Sequence, residues 1–135
     1  MPSVKYMTPP GFLEELSKGN HYSQAVDLGN GFFKASGQGG ENDRLEFPSD
    51  LKEEVENAVH NVDYVLQAAG LRGWEDVYYI RSYHTDIDAL LPLLAQALKK
   101  RIPDHRPGHT ALGVAKLALP DMRLEIEVDA KKQVI

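Results

Sequence analysis

Cysteine is absent from this 135-residue sequence. A chain without cysteine has no disulfide framework, no cysteine-ligated zinc and no cysteine nucleophile. Without cysteine, the sequence does not indicate whether the protein works in a reducing or an oxidising compartment. With 42% apolar and 26% charged residues, the chain has the composition of a globular protein whose stability comes from a hydrophobic core. Its length predicts one domain.

Positive charge is in short supply, with 15 lysine and arginine residues against 20 aspartate and glutamate residues and a formal net charge of -5. The chain therefore lacks the basic surface that nucleic acid or an anionic membrane would need. No apolar run approaches the ~20 residues of a membrane span, and the start MPSVKYMTPPGF lacks the apolar centre of a secretory signal. We expect a cytoplasmic protein with neither nucleic-acid nor membrane partners.

Prolines and glycines dominate the beginning of the chain, so residues 1–19 are predicted to form an irregular arm before a single domain over residues 20–135. Alternating residues on both sides of Asn30-Gly31 predict a β-hairpin with strands over 22–28 and 32–36. A glycine-rich loop over residues 37–43 follows, where another group can approach the backbone closely.

A helix is predicted from an N-cap at Ser49, because apolar residues recur at spacings of three and four until Gly70. Aromatic and β-branched residues then predict a strand over residues 77–84. A second helix follows, capped by Asp86 or Asp88, with Pro92 in its first turn.

Two further strands are predicted, over residues 109–117 and 123–129, and the last alternates strictly between apolar and charged residues. The order ββαβαββ predicts an α+β fold, a mixed sheet with both helices on one face. The other face then meets either solvent, in a monomer, or another copy of the chain. Its aromatic and small residues favour a closed cyclic oligomer.

Three stretches together resemble the YjgF/Rid family of reactive intermediate deaminases, some of whose members carry the name endoribonuclease L-PSP. They are residues 20–38, residues 61–71, and the segment from Gly113-Val114-Ala115-Lys116-Leu117 to Leu124-Glu125-Ile126-Glu127-Val128. The resemblance implies a chorismate-mutase-like fold and a homotrimer with a central barrel and ligand clefts between subunits. It also implies hydrolysis of a small-molecule enamine or imine to a carbonyl compound and ammonia, without a metal or organic cofactor.

The resemblance assigns roles to particular residues of this chain. The family's tyrosine falls on Tyr22, its serine on Ser36 beside Gly37, and its strand glutamate on Glu125. A glutamate held in a water-poor cleft has a raised pKa and can act as an acid or a base. The alternatives are packing at a subunit boundary for Tyr22, a serine turn for Ser36, and a solvated carboxylate for Glu125.

The sequence departs from the family at the residue that clamps a substrate carboxylate. The arginine is replaced by His109, and the cysteine often found two residues later is Ala111. A neutral imidazole lacks the fixed charge and planar fork of arginine. Either the substrate has no carboxylate, or Arg106 supplies the cation. His109 can also act as a proton shuttle, or be purely structural.

A zinc site is less well supported. Imidazole and carboxylate are normal zinc ligands, which points to His84, Asp86, His105 and His109. These residues lie on a loop and on separate strands, so we expect no metal.

The leading hypothesis is an imine deaminase that uses Tyr22, Ser36, His109 and Glu125. The alternative is a diverged member that binds, tautomerises or cyclises a neutral intermediate. A role in RNA binding is disfavoured by the acidic balance.

Overall fold

The computed structural model describes residues 3–133 and shows a six-stranded sheet with three α-helices. The α+β fold with a mixed sheet is therefore confirmed. The strands are β1 (Lys5–Met7), β2 (Ala25–Gly29), β3 (Phe32–Gln38), β4 (Val77–His84), β5 (Gly108–Gly113) and β6 (Leu124–Lys131). The helices are α1 (Phe12–Gly19), α2 (Leu51–Ala68) and α3 (Ile87–Arg101), and a 3₁₀ turn spans Trp74–Asp76.

The sheet has the strand order β1-β2-β3-β6-β4-β5. β4 and β5 pair in parallel, whereas the other neighbours pair antiparallel. Helix α3 makes the crossover that two parallel neighbours require. Helix α2 packs against β3 and β6, and α3 packs against β4 and β5. One face of the central sheet is thus covered by helices, as the sequence predicts.

The hairpin between β2 and β3 turns at the predicted residues. Asn30 and Gly31 both have positive φ, 58° and 85°. Two consecutive residues of positive φ define the turn that matches the twist of a two-stranded ribbon. The glycine at the second position therefore fixes where β2 ends and β3 begins.

The starts of α2 and α3 differ from the predictions in detail. The N-cap of α2 is Asp50 and not Ser49, since the Asp50 carboxylate accepts a hydrogen bond from the Glu53 N–H at 3.3 Å. Asp86 caps α3, which begins at Ile87. Pro92 therefore lies in the second turn and not in the first, where its missing N–H removes one hydrogen bond of the helix.

Residues 3–19 are more regular than predicted. Strand β1 pairs with β2, and α1 buries Leu13 and Ser17. The helix is only two turns long, so its apolar spacing is too short to stand out beside the surrounding prolines and glycines. The division between an arm and a domain at residue 20 stays a prediction.

Strand β6 carries the core of the sheet. Its alternate residues Leu124, Ile126, Val128 and Ala130 are fully buried, and they belong to the same apolar cluster as residues of α2. The strict alternation predicted for this strand is confirmed. Its charged residues Glu125, Glu127 and Asp129 consequently lie on the opposite side of the sheet.

The side of the sheet away from α2 and α3 is aromatic and charged together. Arg81 donates to both oxygens of Asp129, at 2.7 and 3.1 Å, and Lys34 donates to the same carboxylate at 2.9 Å. Tyr83 donates to Glu127. The charges of Lys34, Arg81, Glu127 and Asp129 on this face are thus paired with one another.

Strand β5 ends at Gly113, four residues earlier than predicted. Residues 114–123 form a loop of turns and bends before β6. Part of this loop returns over the sheet and helps to enclose the cavity described below. Within residues 3–133, no helix has both the length and the apolar character needed to cross a membrane.

Candidate functional site

A cavity of about 330 Å³ opens beside the end of β3. Polar side chains from four segments meet in it: Tyr22 before β2, Ser36 in β3, Glu41 in the glycine-rich loop and Glu125 in β6. Its apolar walls come from Leu13 and Leu16 of α1 and from Ala118, Leu119 and Met122 of the returning loop. Three residues predicted at the site, Tyr22, Ser36 and Glu125, therefore line one cavity, together with Gly37.

Glu125 reaches the cavity by crossing directly over Gly37. A Cβ atom at Gly37 would lie 2.5 Å from the Glu125 carboxyl carbon. The glycine is needed here because any side chain would displace the carboxylate. Burial raises the pKa of Glu125, and the neighbouring charge of Glu127 raises it further. A carboxyl group whose pKa is raised in this way exchanges protons with a ligand more readily than an ordinary carboxylate does.

The Tyr22 phenol is held by a buried amide network. The Gln24 Nε2 group donates to the Tyr22 oxygen at 3.3 Å and to Ser17 Oγ at 2.8 Å. Gln38 Nε2 donates to Gln24 Oε1 at 2.5 Å, which fixes the orientation of the Gln24 amide. Since the phenol oxygen accepts from Gln24, its own proton is available to a ligand. Burial raises the pKa of Tyr22, so the phenol stays protonated.

Ser36 presents an acceptor to the cavity. Its Oγ donates to the carbonyl of Ser23 at 2.7 Å, and its backbone N–H donates to Gln24 O at 2.8 Å. The hydroxyl proton thus bonds to the segment before β2. What remains for a ligand is the oxygen lone pair.

Glu41 also lines this cavity and was missed by the sequence analysis. The residue is 5% exposed, and its Oε2 atom has no hydrogen-bond partner. Burial raises the pKa of Glu41, with smaller contributions from Glu125 and Glu54. No local signal in the sequence marks this residue, because its burial depends on the approach of the loop to α2.

His109, Ala111 and Arg106 lie away from this cavity in the single chain. His109 stands opposite Ile80 in β4, and its Nε2 atom lies 2.7 Å from Ser82 Oγ. This is the helix-covered side of the sheet, whereas Glu125 is on the other side, opposite Tyr83. Ala111 is paired with Ser82, and Arg106 is exposed in the loop before β5. One chain therefore does not bring Glu125 and His109 together.

His109 belongs to a short chain of polar groups. Ser82 Oγ lies between His109 Nε2, at 2.7 Å, and His84 Nε2, at 2.8 Å. Burial lowers the pKa of His84, and the nearby His109 lowers it further; burial also lowers the pKa of His109. Both imidazoles are thus neutral at pH 7. Because Ser82 is fully buried, the pair of serine and histidine is not presented as a nucleophile.

The residues considered for zinc are dispersed. His105 Nε2 lies 2.6 Å from the carbonyl of Val77, and His84 is buried next to Ser82. Across residues 3–133, no three histidine, cysteine, aspartate or glutamate side chains are grouped to hold a metal ion.

The sequence profile of the family described as Endoribonuclease L-PSP matches residues 12–132. The chain belongs to this family. The L-PSP family assignment confirms the resemblance found in the sequence. A RutC family protein of Aquifex aeolicus is 34% identical over 118 residues, which are 82% of this chain and 88% of the relative.

Solved structures agree with the L-PSP assignment. A protein designated YJGH is 26% identical, superposes with a TM-score of 0.85 and covers 99% of this chain and 100% of its own. E. coli TdcF, solved with bound serine, is 28% identical, with a TM-score of 0.72 over 83% of this chain and 88% of its own. These similarities show the fold and the family.

Proposed function

We propose that this L-PSP family protein is a hydrolase that converts small reactive imines and enamines to a carbonyl compound and ammonia. The observation that supports this proposal is that three groups line the same cavity: the Glu125 carboxyl, whose pKa is raised, the Tyr22 phenol and the Ser36 oxygen. These groups supply a proton acceptor, a proton donor and a hydrogen-bond acceptor. The absence of a cofactor and the cytoplasmic location stay predictions.

The reaction uses the Glu125 carboxylate first as a base and then as an acid. Glu125 takes a proton from water while the water oxygen bonds to the imine carbon, and the π electrons of the carbon–nitrogen bond move to nitrogen. Glu125 then passes this proton to nitrogen. Glu125 next takes the hydroxyl proton of this carbinolamine and delivers it to the same nitrogen as the carbon–nitrogen bond breaks. The carbonyl forms, ammonia leaves, and Glu125 is again a carboxylate. Positioned proton transfer of this kind contributes typically ~10²- to 10⁴-fold.

Tyr22 and Ser36 would orient the substrate for this attack. The phenol proton, free of Gln24, can bond to the oxygen that develops on the former imine carbon, while the Ser36 oxygen accepts from the imine N–H. Holding the reacting atoms in this geometry removes an entropy cost that a reaction in water must meet.

The experiment measures ammonia release from freshly generated imines above the spontaneous rate. We expect Glu125→Gln to lose about 10²-fold or more of kcat. Glu53→Gln is the matched control, because Glu53 is exposed in the first turn of α2. Wild-type protein that accelerates no imine, with or without a carboxylate, would rule out the function.

We propose further that copies of the chain meet as a homotrimer, so that His109 of one copy completes the cleft holding Glu125 of the next. Three features support this: the sheet separates the two residues within one chain, β5 is an edge strand, and Leu112 on β5 is 49% exposed. Sedimentation should give three times the 15.0 kDa mass of the chain. A monomer at micromolar concentration would exclude a shared cleft.

A second candidate is a family member without imino-acid deaminase activity that binds, tautomerises or cyclises a neutral intermediate. The supporting observation is His109, which replaces a clamping arginine and is hydrogen-bonded to Ser82. His109→Arg separates the two candidates. If the variant turns over 2-iminobutanoate and the wild type does not, the natural protein lacks imino-acid deaminase activity, as the second candidate requires. Wild-type turnover of that substrate argues against it.

A further inference from the structure

The cavity that contains Glu125 is unusual in its balance of charge. Two carboxyl groups, those of Glu41 and Glu125, line it. Among residues 3–133, its lining includes no lysine, arginine or histidine. An anionic substrate would therefore enter a space that already holds two acidic groups, and repulsion would oppose its binding.

Glu41 differs from the other buried acidic residues near the sheet. Glu54 accepts two hydrogen bonds from Arg123, and Asp129 is paired with Arg81 and Lys34. Glu41 is equally buried, but its Oε2 atom has no partner in the described chain. A buried carboxyl without a partner costs free energy, which a ligand that donates to it would recover.

The backbone around Glu41 is held against α2, which places its side chain at the cavity wall. The Asn61 Nδ2 group donates to Gly39 O at 2.7 Å and to Glu41 O at 3.1 Å. A Cβ atom at Gly39 would lie 2.6 Å from Glu41 Oε2, and one at Gly40 would lie 2.2 Å from the carbonyl of Glu54. The two glycines thus allow the loop to lie against α2 with the carboxyl directed along the cavity wall.

We infer that the substrates of this site are imines that correspond to simple amines, with an unsubstituted nitrogen and no carboxylate. They bind as the protonated iminium, and Glu41 accepts a hydrogen bond from the charged nitrogen. This inference rests on the proposed function and names its substrate class. Leu13, Leu16 and Met122 form the apolar wall that a short alkyl or aryl group needs. Within residues 3–133, no cation lines this cavity that could pair with a carboxylate on the same substrate. Glu41 is thus a binding residue, and Glu125 keeps its role in proton transfer.

Equilibrium binding of stable probes tests the charge preference. Isothermal titration at pH 8 compares n-butylammonium with the neutral butan-1-ol and the anionic butyrate, which share the same alkyl chain. We expect n-butylammonium to bind best, and Glu41→Gln to weaken its binding by roughly tenfold or more. Glu53→Gln should leave the affinity unchanged. Equal affinities for the three probes, or no effect of Glu41→Gln, would overturn the inference.

Turnover separates a wrong substrate class from a wrong function. The wild type is given an imine of a simple amine and, in parallel, 2-iminobutanoate. Faster ammonia release from the amine-derived imine supports the inference, and Glu41→Gln should then raise KM more than it lowers kcat. Faster release from 2-iminobutanoate would overturn the substrate class but keep the hydrolase. Release from neither would reject the hydrolase itself.

Thermal unfolding shows whether the Glu41 variants are folded, so that weaker binding is not mistaken for loss of the fold. Replacing a buried carboxyl whose Oε2 atom has no partner by an amide of the same shape removes a desolvated acid, so Glu41→Gln should fold with an unchanged or higher Tm at pH 8. A second variant, Glu41→Asp, keeps the charge and withdraws it by one methylene. It should bind n-butylammonium better than Glu41→Gln, and the opposite order would contradict a role for the charge.

Discussion

Replacing Gly37 by alanine moves the candidate catalytic carboxylate without removing it. The new Cβ atom would lie 2.5 Å from the carboxyl carbon of Glu125, 2.7 Å from its Cγ atom and 2.8 Å from Oε2. Carbon atoms in ordinary contact are about 3.5–4.0 Å apart. The Glu125 side chain must therefore shift by about 1 Å, because the Cβ position is fixed by the backbone.

The same geometry predicts that stability changes little. The φ angle of Gly37 lies outside the left-handed region, so alanine is allowed by the backbone. The atoms it meets belong to the flexible end of a side chain, which keeps the overpacking cost at the low end of the usual range, about 1 kcal/mol. The lower entropy of the unfolded chain offsets this by about 0.4–1 kcal/mol. The net change in the free energy of unfolding should be close to zero.

The effect on turnover should be far larger. A displacement of about 1 Å at a reacting group costs about 10²-fold in rate. Ammonia release and urea unfolding are measured on the same preparation of Gly37→Ala. The control is Gly19→Ala at the end of α1, where a Cβ atom meets nothing within 4 Å.

Two results would refute this reasoning. Full activity in Gly37→Ala would mean that the position of Glu125 over Gly37 does not matter for the reaction. A loss of several kcal/mol in the free energy of unfolding would mean that the side chain cannot move aside. Unchanged folding with lost activity is the outcome that the structure predicts.

Two predictions concern stability. Because burial raises the pKa of Glu41 in the folded state above its ordinary value of 4.5, protonated Glu41 contributes stability below that pH and loses it as the pH rises through the folded value. Urea unfolding should show the wild type losing stability relative to Glu41→Gln from about pH 4.5 upward, and parallel curves would contradict this. Arg123→Ala leaves the fully buried Glu54 carboxylate without its cation and should cost about 3 kcal/mol. Arg44→Ala, at an exposed loop residue, should change stability by less than about 0.5 kcal/mol and serves as the control.

The hairpin and the last strand were predictable because local sequence decides both. The turn at Asn30-Gly31 needs two residues of positive φ, and few residue pairs tolerate that conformation. The alternation from Leu124 onward leaves one face apolar, and a shift of one residue would bury every charge of β6. In both segments the physical requirement is satisfied within ten residues of sequence.

The side of the sheet on which His109 lies was not predictable in the same way. Its orientation depends on the register of β5 against β4, where His109 stands opposite Ile80. Strand β5 is exposed at an edge, and its apolar and polar residues do not alternate strongly. Its sequence therefore does not indicate which face is buried. Tyr22, Ser36 and Glu125, which the resemblance assigned to the site, line one cavity of a single chain, whereas His109 does not.

Glu41 was missed for a different reason. An acidic residue between glycine and asparagine has the composition of a solvated loop, and most such residues are exposed. Its burial follows from the backbone approach at Gly39 and Gly40, where Asn61 and Glu54 of α2 lie against the loop. That approach joins residues far apart in the sequence, which local patterns do not reveal.

The two sides of the sheet therefore carry different parts of the proposed chemistry. On one side Glu125 lies in a cavity with a second carboxyl and no cation, so that cavity alone favours a positively charged ligand. On the other side His109 is neutral and bonded to Ser82, so it brings no fixed charge to any cleft it joins. In the homotrimer proposed above, the histidine of a neighbouring copy would add no fixed charge to the cleft. The acidic character of the cavity is thus set by Glu41 and Glu125 of one chain.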